Sequence, residues 1–154
     1  MNDEIKKILI NGYKAADSRQ LEREMAKLAK IAEENTDHVY ACIMENIVKE
    51  YQAHPLREYI QIQVMFHDSY YGKYNDEFTY NATELTKEYN AKYGYDLLWG
   101  VGGPCIFSLI KRKLEEDGFS YRRFTTTLYD IMIDTKDFKR LIEKLMEEDN
   151  QKHR

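Results

Sequence analysis

The 154-residue chain reads as a mainly α protein with a small β-hairpin, an α+β domain with a helical extension before it. Three observations point there. The chain has only two prolines and seven glycines, so little interrupts long helices. Apolar residues recur at steps of three and four through most of its length. Phe119 to Ile133 instead sets β-branched and aromatic residues on both sides of Thr125-Thr126-Thr127, as two strands and a turn would.

Residues 3–15 place Ile5, Ile8, Leu9 and Tyr13 near one helical face, with Lys6, Lys7 and Lys14 elsewhere. Asp17 or Ser18 can cap a second helix in which Leu21, Met25, Leu28 and Ala32 point inward and Glu22, Arg23, Lys27 and Lys30 face water. Asn35-Thr36-Asp37 breaks that pattern and supplies another cap, after which Val39, Tyr40, Ile43, Ile47 and Tyr51 define a third stripe. The first fifty residues are therefore expected as antiparallel helices joined by short turns. Stripes of this kind form core; where they exceed what the rest of the chain can cover, they become a homodimer surface. Ala53-His54-Pro55 marks a boundary, because proline disfavours helical geometry before it and suits the first turn after it. The expected division is a helical region over 1–53 and a second domain over 55–150.

Residues 56–67 fit two periods. Leu56, Tyr59, Ile60, Val64 and His67 suit a helix, whereas Ile60, Ile62, Val64 and Phe66 alternate like a strand. Pro55 and the Arg57-Glu58 pair in a first turn favour the helix. Asp68 to Glu77 is a polar, tyrosine-rich loop, and Phe78-Thr79-Tyr80 is a short β-prone run. Asn81 and Glu84 have capping-box spacing for a helix that Gly94 would end. Leu97, Leu98, Trp99 and Val101 make Tyr95 to Gly103 too apolar for a free loop. That segment should tuck against the core, with Gly100, Gly102 and Gly103 permitting unusual dihedrals or a close approach. Pro104 opens a helix with Phe107, Ile110 and Leu114 inward and Ser108, Lys111, Arg112 and Glu115 outward; Gly118 ends it. After the hairpin, Asp134 or Thr135 caps a last helix carrying Phe138, Leu141, Ile142 and Leu145.

Residues 55–134 thus give helix, strand, helix, helix, strand, strand. FTYNATELTKEYN is similar to the first strand and supporting helix of a winged-helix domain, and CIFSLIKRKLEEDGFSYRRF to its recognition helix running into the wing. About half the chain resembles that family. The resemblance implies that the second helix of the pair lies in the DNA major groove while the hairpin touches flanking phosphates. Ser108, Lys111 and Arg112 would then face DNA, and Arg122 and Arg123 would hold its backbone. Two features depart from the family pattern. The turn between the helices exceeds the usual three or four residues, and Glu115, Glu116 and Asp117 would repel phosphate. A plainer reading of the same helix is an amphipathic one whose charged face is simply solvated.

Charge and motif content narrow the function classes. A formal net charge of −4 is wrong for a general polyanion binder, so any nucleic-acid contact must come from a local patch. Cys42 and Cys105 read as reduced, buried thiols. There is no apolar run of signal-peptide character and none near the ~20 residues that span a bilayer, which leads to the expectation of a cytoplasmic protein. His38 and Cys42 are four apart on one helix but lack the second pair that a zinc site needs. His67-Asp68 could orient an imidazole, yet no nucleophile accompanies it. Gly100-Val101-Gly102-Gly103-Pro104 precedes a helix without the Lys and Ser or Thr of a phosphate loop. No enzyme activity, metal or cofactor is expected.

Two functional expectations follow. The first is a DNA-binding transcriptional regulator or replication accessory protein acting on duplex DNA. The alternative is a protein-binding adaptor, or a small inhibitor encoded by a phage or mobile element. Among the thirteen tyrosines, Tyr70, Tyr71 and Tyr74 would meet its protein partner, since aromatic side chains anchor such interfaces.

Overall fold

A computed structural model describes residues 1–16, 18–66, 77–100, 103–123 and 128–153, with the side chains of 18, 122, 123, 128 and 129 outside that description. Helix α1 (Asp3–Lys14) starts where Asn2 accepts a hydrogen bond through its side chain from the Ile5 amide, at 2.9 Å. Helix α2 (Ser18–Ala53) follows as one uninterrupted rod of 36 residues. The break expected at Asn35-Thr36-Asp37 does not occur. Asn35 Nδ2 donates to the Ile31 carbonyl and Thr36 Oγ1 to the Ala32 carbonyl, both at 2.7 Å, so these side chains bond back into the helix instead of capping a new one. The two stripes read as separate helices are in phase, and Ala32, Thr36, Val39, Ile43 and Ile47 form one buried line.

Residues 59–65 form strand β1 (Tyr59–Met65), which corrects the expectation of a helix over 56–67. Its period-two alternation prevailed because a partner strand was available. Strand β4 (Leu128–Asp134) pairs with it antiparallel along its whole length, from Tyr59 opposite Asp134 to Met65 opposite Leu128. Ile60, Ile62 and Val64 are buried with Ile131 and Ile133 on that ribbon. Strand β2 (Tyr80–Asn81) adds two parallel pairs to β1, and β3 (Ser120–Arg123) forms the expected hairpin with β4. The sheet order is β2-β1-β4-β3. The protein is therefore mainly α with a small sheet, as its sequence predicts.

Helix α3 (Thr83–Tyr93) begins where Asn81 Oδ1 accepts from both the Thr83 amide and its hydroxyl, and ends at Gly94 in the left-handed region, φ 63°. Helix α4 (Ile106–Glu116) turns Ile106, Phe107, Ile110 and Leu114 into the core and packs on α2. Phe107 meets Phe66 at the end of β1 and Trp99, with ring centroids 4.7 and 5.5 Å apart, which fixes the helix to the sheet. Helix α5 (Thr135–Lys152) is capped by Asp134, whose carboxylate accepts from the Lys136 amide. Thr135 also donates through its hydroxyl to the Arg57 carbonyl and through its amide to that of Glu58. The start of α5 is thus clipped to the entry of β1. No described helix is long and apolar enough to cross a membrane.

Candidate functional site

The outward face of α4 and the neighbouring hairpin carry most of the residues singled out in the sequence. Ser108 and Arg112 are exposed one turn apart, while Lys111 is half-buried. Ser108 Oγ donates to the Cys105 carbonyl at 2.9 Å, which leaves its oxygen able to accept. The Lys111 ammonium lies over two rings, 5.3 Å from the centroid of Phe107 and 5.8 Å from that of Tyr121. It leans towards β3. Arg112 leans the other way, into an open groove of about 470 Å³ between α4 and α2. Arg122 and Arg123 pair along the ladder with Asp130 and Tyr129, and their side chains lie outside the described residues. Tyr70, Tyr71, Tyr74 and His67 lie outside them altogether.

Several participants carried no signal in the sequence. Lys113 reaches across the groove to Asp37 of α2, Nζ to Oδ1 3.1 Å, a solvated pair worth at most about 1 kcal/mol. Tyr121 donates its hydroxyl to Glu115 Oε1 at 2.9 Å, and Tyr40 on α2 donates to Asp117 Oδ2. Burial, with that bond to Asp117 second, holds the Tyr40 phenol well above its ordinary range, so it serves as a donor throughout the physiological range. Two of the three acids at the C-terminal end of α4 are thus tied by tyrosines to β3 and α2. The groove, however, also sets Glu33, Asp37 and Glu116 beside Arg112 and Lys113. The face is cationic in the middle of the helix and anionic at its end.

The glycine-rich segment before α4 has a structural job. The Ile106 and Phe107 amides donate to the carbonyls of Leu97 and Leu98, at 2.8 and 3.0 Å, so the first turn of α4 spends these donors on its own chain. A phosphate at that turn would have to displace both. The Tyr95 hydroxyl occupies the space beside the glycines: a Cβ on Gly103 would come within 2.3 Å of it, and one on Gly100 within 2.9 Å. Burial raises the Tyr95 phenol above its ordinary pKa, and its Oη finds no hydrogen-bond partner among the described residues. The close approach anticipated for these glycines is made by an aromatic side chain.

His38 is exposed and Cys42 half-buried on α2, and among the described residues no group of three or more His, Cys, Asp or Glu side chains is arranged to hold a metal. Compared with protein-family models, curated proteins and solved structures, the chain matches none of them.

Proposed function

We propose that this is a non-enzymatic DNA-binding protein of winged-helix type, with α4 as the helix laid in the major groove and the β3–β4 ribbon as the wing. One observation supports the reading above the others: the elements run α2, β1, β2, α3, α4, β3, β4, with β4 lying between β1 and β3, which is the family order with the two-residue β2 inserted before α3. The family order is helix, strand, helix, helix, strand, strand. On this reading α2 and β1 are the first helix and strand; the sequence had suggested residues 56–67 for that helix and 78–80 for that strand, where the chain instead has β1 and the two-residue β2. Ser108 and Arg112 are exposed on α4 with Lys111 half-buried between them, and Arg122 and Arg123 belong to the adjacent ribbon. Arginine and lysine suit both base edges and phosphates. The test is fluorescence anisotropy with a random duplex between ~50 and ~200 mM salt, where affinity should fall steeply. A Lys111→Glu, Arg112→Glu variant should bind at least ~10-fold more weakly and with a shallower salt slope. Unchanged binding by that variant removes α4 from the interface.

A second reading is an adaptor or inhibitor that works by binding a protein. The mixed-charge groove between α2 and α4 favours it, because Glu33, Asp37 and Glu116 repel phosphate but complement a protein surface that also carries both signs. A stoichiometric protein complex sensitive to Arg112→Glu, with no duplex affinity at low salt, selects this reading over the first.

A further inference from the structure

Helix α1 buries none of its residues. Ile5, Ile8, Leu9 and Tyr13 form an apolar face on it, and Ile8 and Tyr13 are 64% and 84% exposed. A folded amphipathic helix of 12 residues is marginal alone in water, so such a face calls for a cover. Elsewhere the same chain holds an open apolar groove of about 300 Å³ between α2 and α5, floored by Met44, Ile47 and Val48 and flanked by Leu141, Ile142 and Leu145. Val48 and Leu145 are themselves 39% and 49% exposed.

We infer that the groove is the seat for α1 of a second copy of this chain, and that two copies exchange their N-terminal helices in a symmetric dimer. Chain geometry selects the second copy over the same one. At 1.5 Å of rise per residue, Tyr40 at the near end of the groove lies roughly 33 Å along α2 from Ser18, and Met44 roughly 39 Å. Ile5, the apolar residue of α1 farthest from that junction, is held within about 28 Å of Ser18 even with the connecting residues extended. A helix folded back on its own chain therefore stops short of the groove. Charge favours the exchange. Helix α1 carries Lys6, Lys7 and Lys14 against Asp3 and Glu4, whereas α5 beyond Leu141 carries Glu143, Glu147, Glu148 and Asp149 against Lys144 and Lys152. The area is sufficient too. A cylinder of about 18 Å by 11 Å, half covered at each of two seats, removes on the order of 1,200 Å² counting both partners, the range in which specific dimers begin. Because each copy gives one helix and receives one, the contact closes as a pair and does not propagate.

The experiment is sedimentation equilibrium on the full chain and on two variants, Leu9→Glu on α1 and Val48→Glu in the groove, with circular dichroism to check that each is folded. Both substituted side chains are solvent-exposed in the single chain, so neither change disturbs the core. The parent should weigh twice its 18.4 kDa chain mass, and each variant should raise the dimer dissociation constant at least ~100-fold. A parent that stays monomeric at about 100 μM overturns the inference. So does a dimer that Leu9→Glu dissociates and Val48→Glu leaves intact, because α1 would then have some other seat.

Discussion

Gly103→Ala is the sharpest probe of how α4 is held in place. A Cβ there would sit 2.3 Å from Tyr95 Oη, 3.1 Å from Tyr95 Cζ and 3.2 Å from Met25 Cε. Carbon and oxygen do not approach to 2.3 Å without a bond, so the phenol must move by roughly 1 Å, and overpacking of that size costs about 1–3 kcal/mol. Against this, alanine restricts the unfolded chain and returns about 0.4–1 kcal/mol. The net expectation is a loss of about 1–2 kcal/mol in urea unfolding analysed by linear extrapolation. Tyr95→Phe alone should be close to neutral, since the hydroxyl it deletes is buried and makes no hydrogen bond to a described residue. In the Tyr95→Phe background the nearest obstacle to the new methyl becomes the ring carbon at 3.1 Å, which yields with a shift of a few tenths of an ångström. Gly103→Ala should then cost almost nothing, a coupling of about 1–2 kcal/mol between the two sites. Additive effects, or a Gly103→Ala protein as stable as the parent, would refute the account of the glycines as room for Tyr95.

Arg57→Ala leaves the Glu50 carboxylate, 2% exposed, without the guanidinium that meets it at 3.0 Å; because Arg57 is itself solvent-exposed the loss should be about 1–3 kcal/mol, and Glu50→Gln in that background should recover part of it. Alkaline pH should destabilise the protein. Burial lifts the phenols of Tyr40 and Tyr80 above their ordinary value near 10, so their contribution is complete below that pH and is lost as the unfolded chain begins to ionise above it. Urea midpoints between about pH 8 and 11 should fall less steeply for Tyr40→Phe than for the parent, and equal slopes would mean that Tyr40 is not part of the effect.

What the sequence made legible was what local chemistry decides. The inward stripe of α4, the helix end at Gly94, the capping of α5 and the β3–β4 hairpin all follow from spacing and turn residues, and the structure has each of them. Two of the misreadings came from side chains and strands with more than one available partner. Thr36 has the chemistry of a cap, but its hydroxyl reached the Ala32 carbonyl inside the helix and its position fell on the buried line. Residues 59–65 satisfied two periods, and the choice was made by β4, about seventy residues away and invisible to any local window. The candidate site was half legible for the same reason. Ser108, Lys111 and Arg112 share a helix and could be read from its period, whereas Tyr40 with Asp117 and Lys113 with Asp37 join α4 to α2 across long stretches of chain.

The pairing of β1 with β4 also bears on how the chain is born. Tyr59 must wait for Asp134, and at about 5–20 residues per second a ribosome needs several seconds to deliver the missing neighbour. During that interval α2 and α3 can already coil and α2 can pack on one face of β1, while the edge of β1 that β4 takes still lacks its partner strand. Truncating the nascent chain before Leu128 should therefore yield a helical but sticky product, and completing β4 is the step that makes the molecule safe from its neighbours.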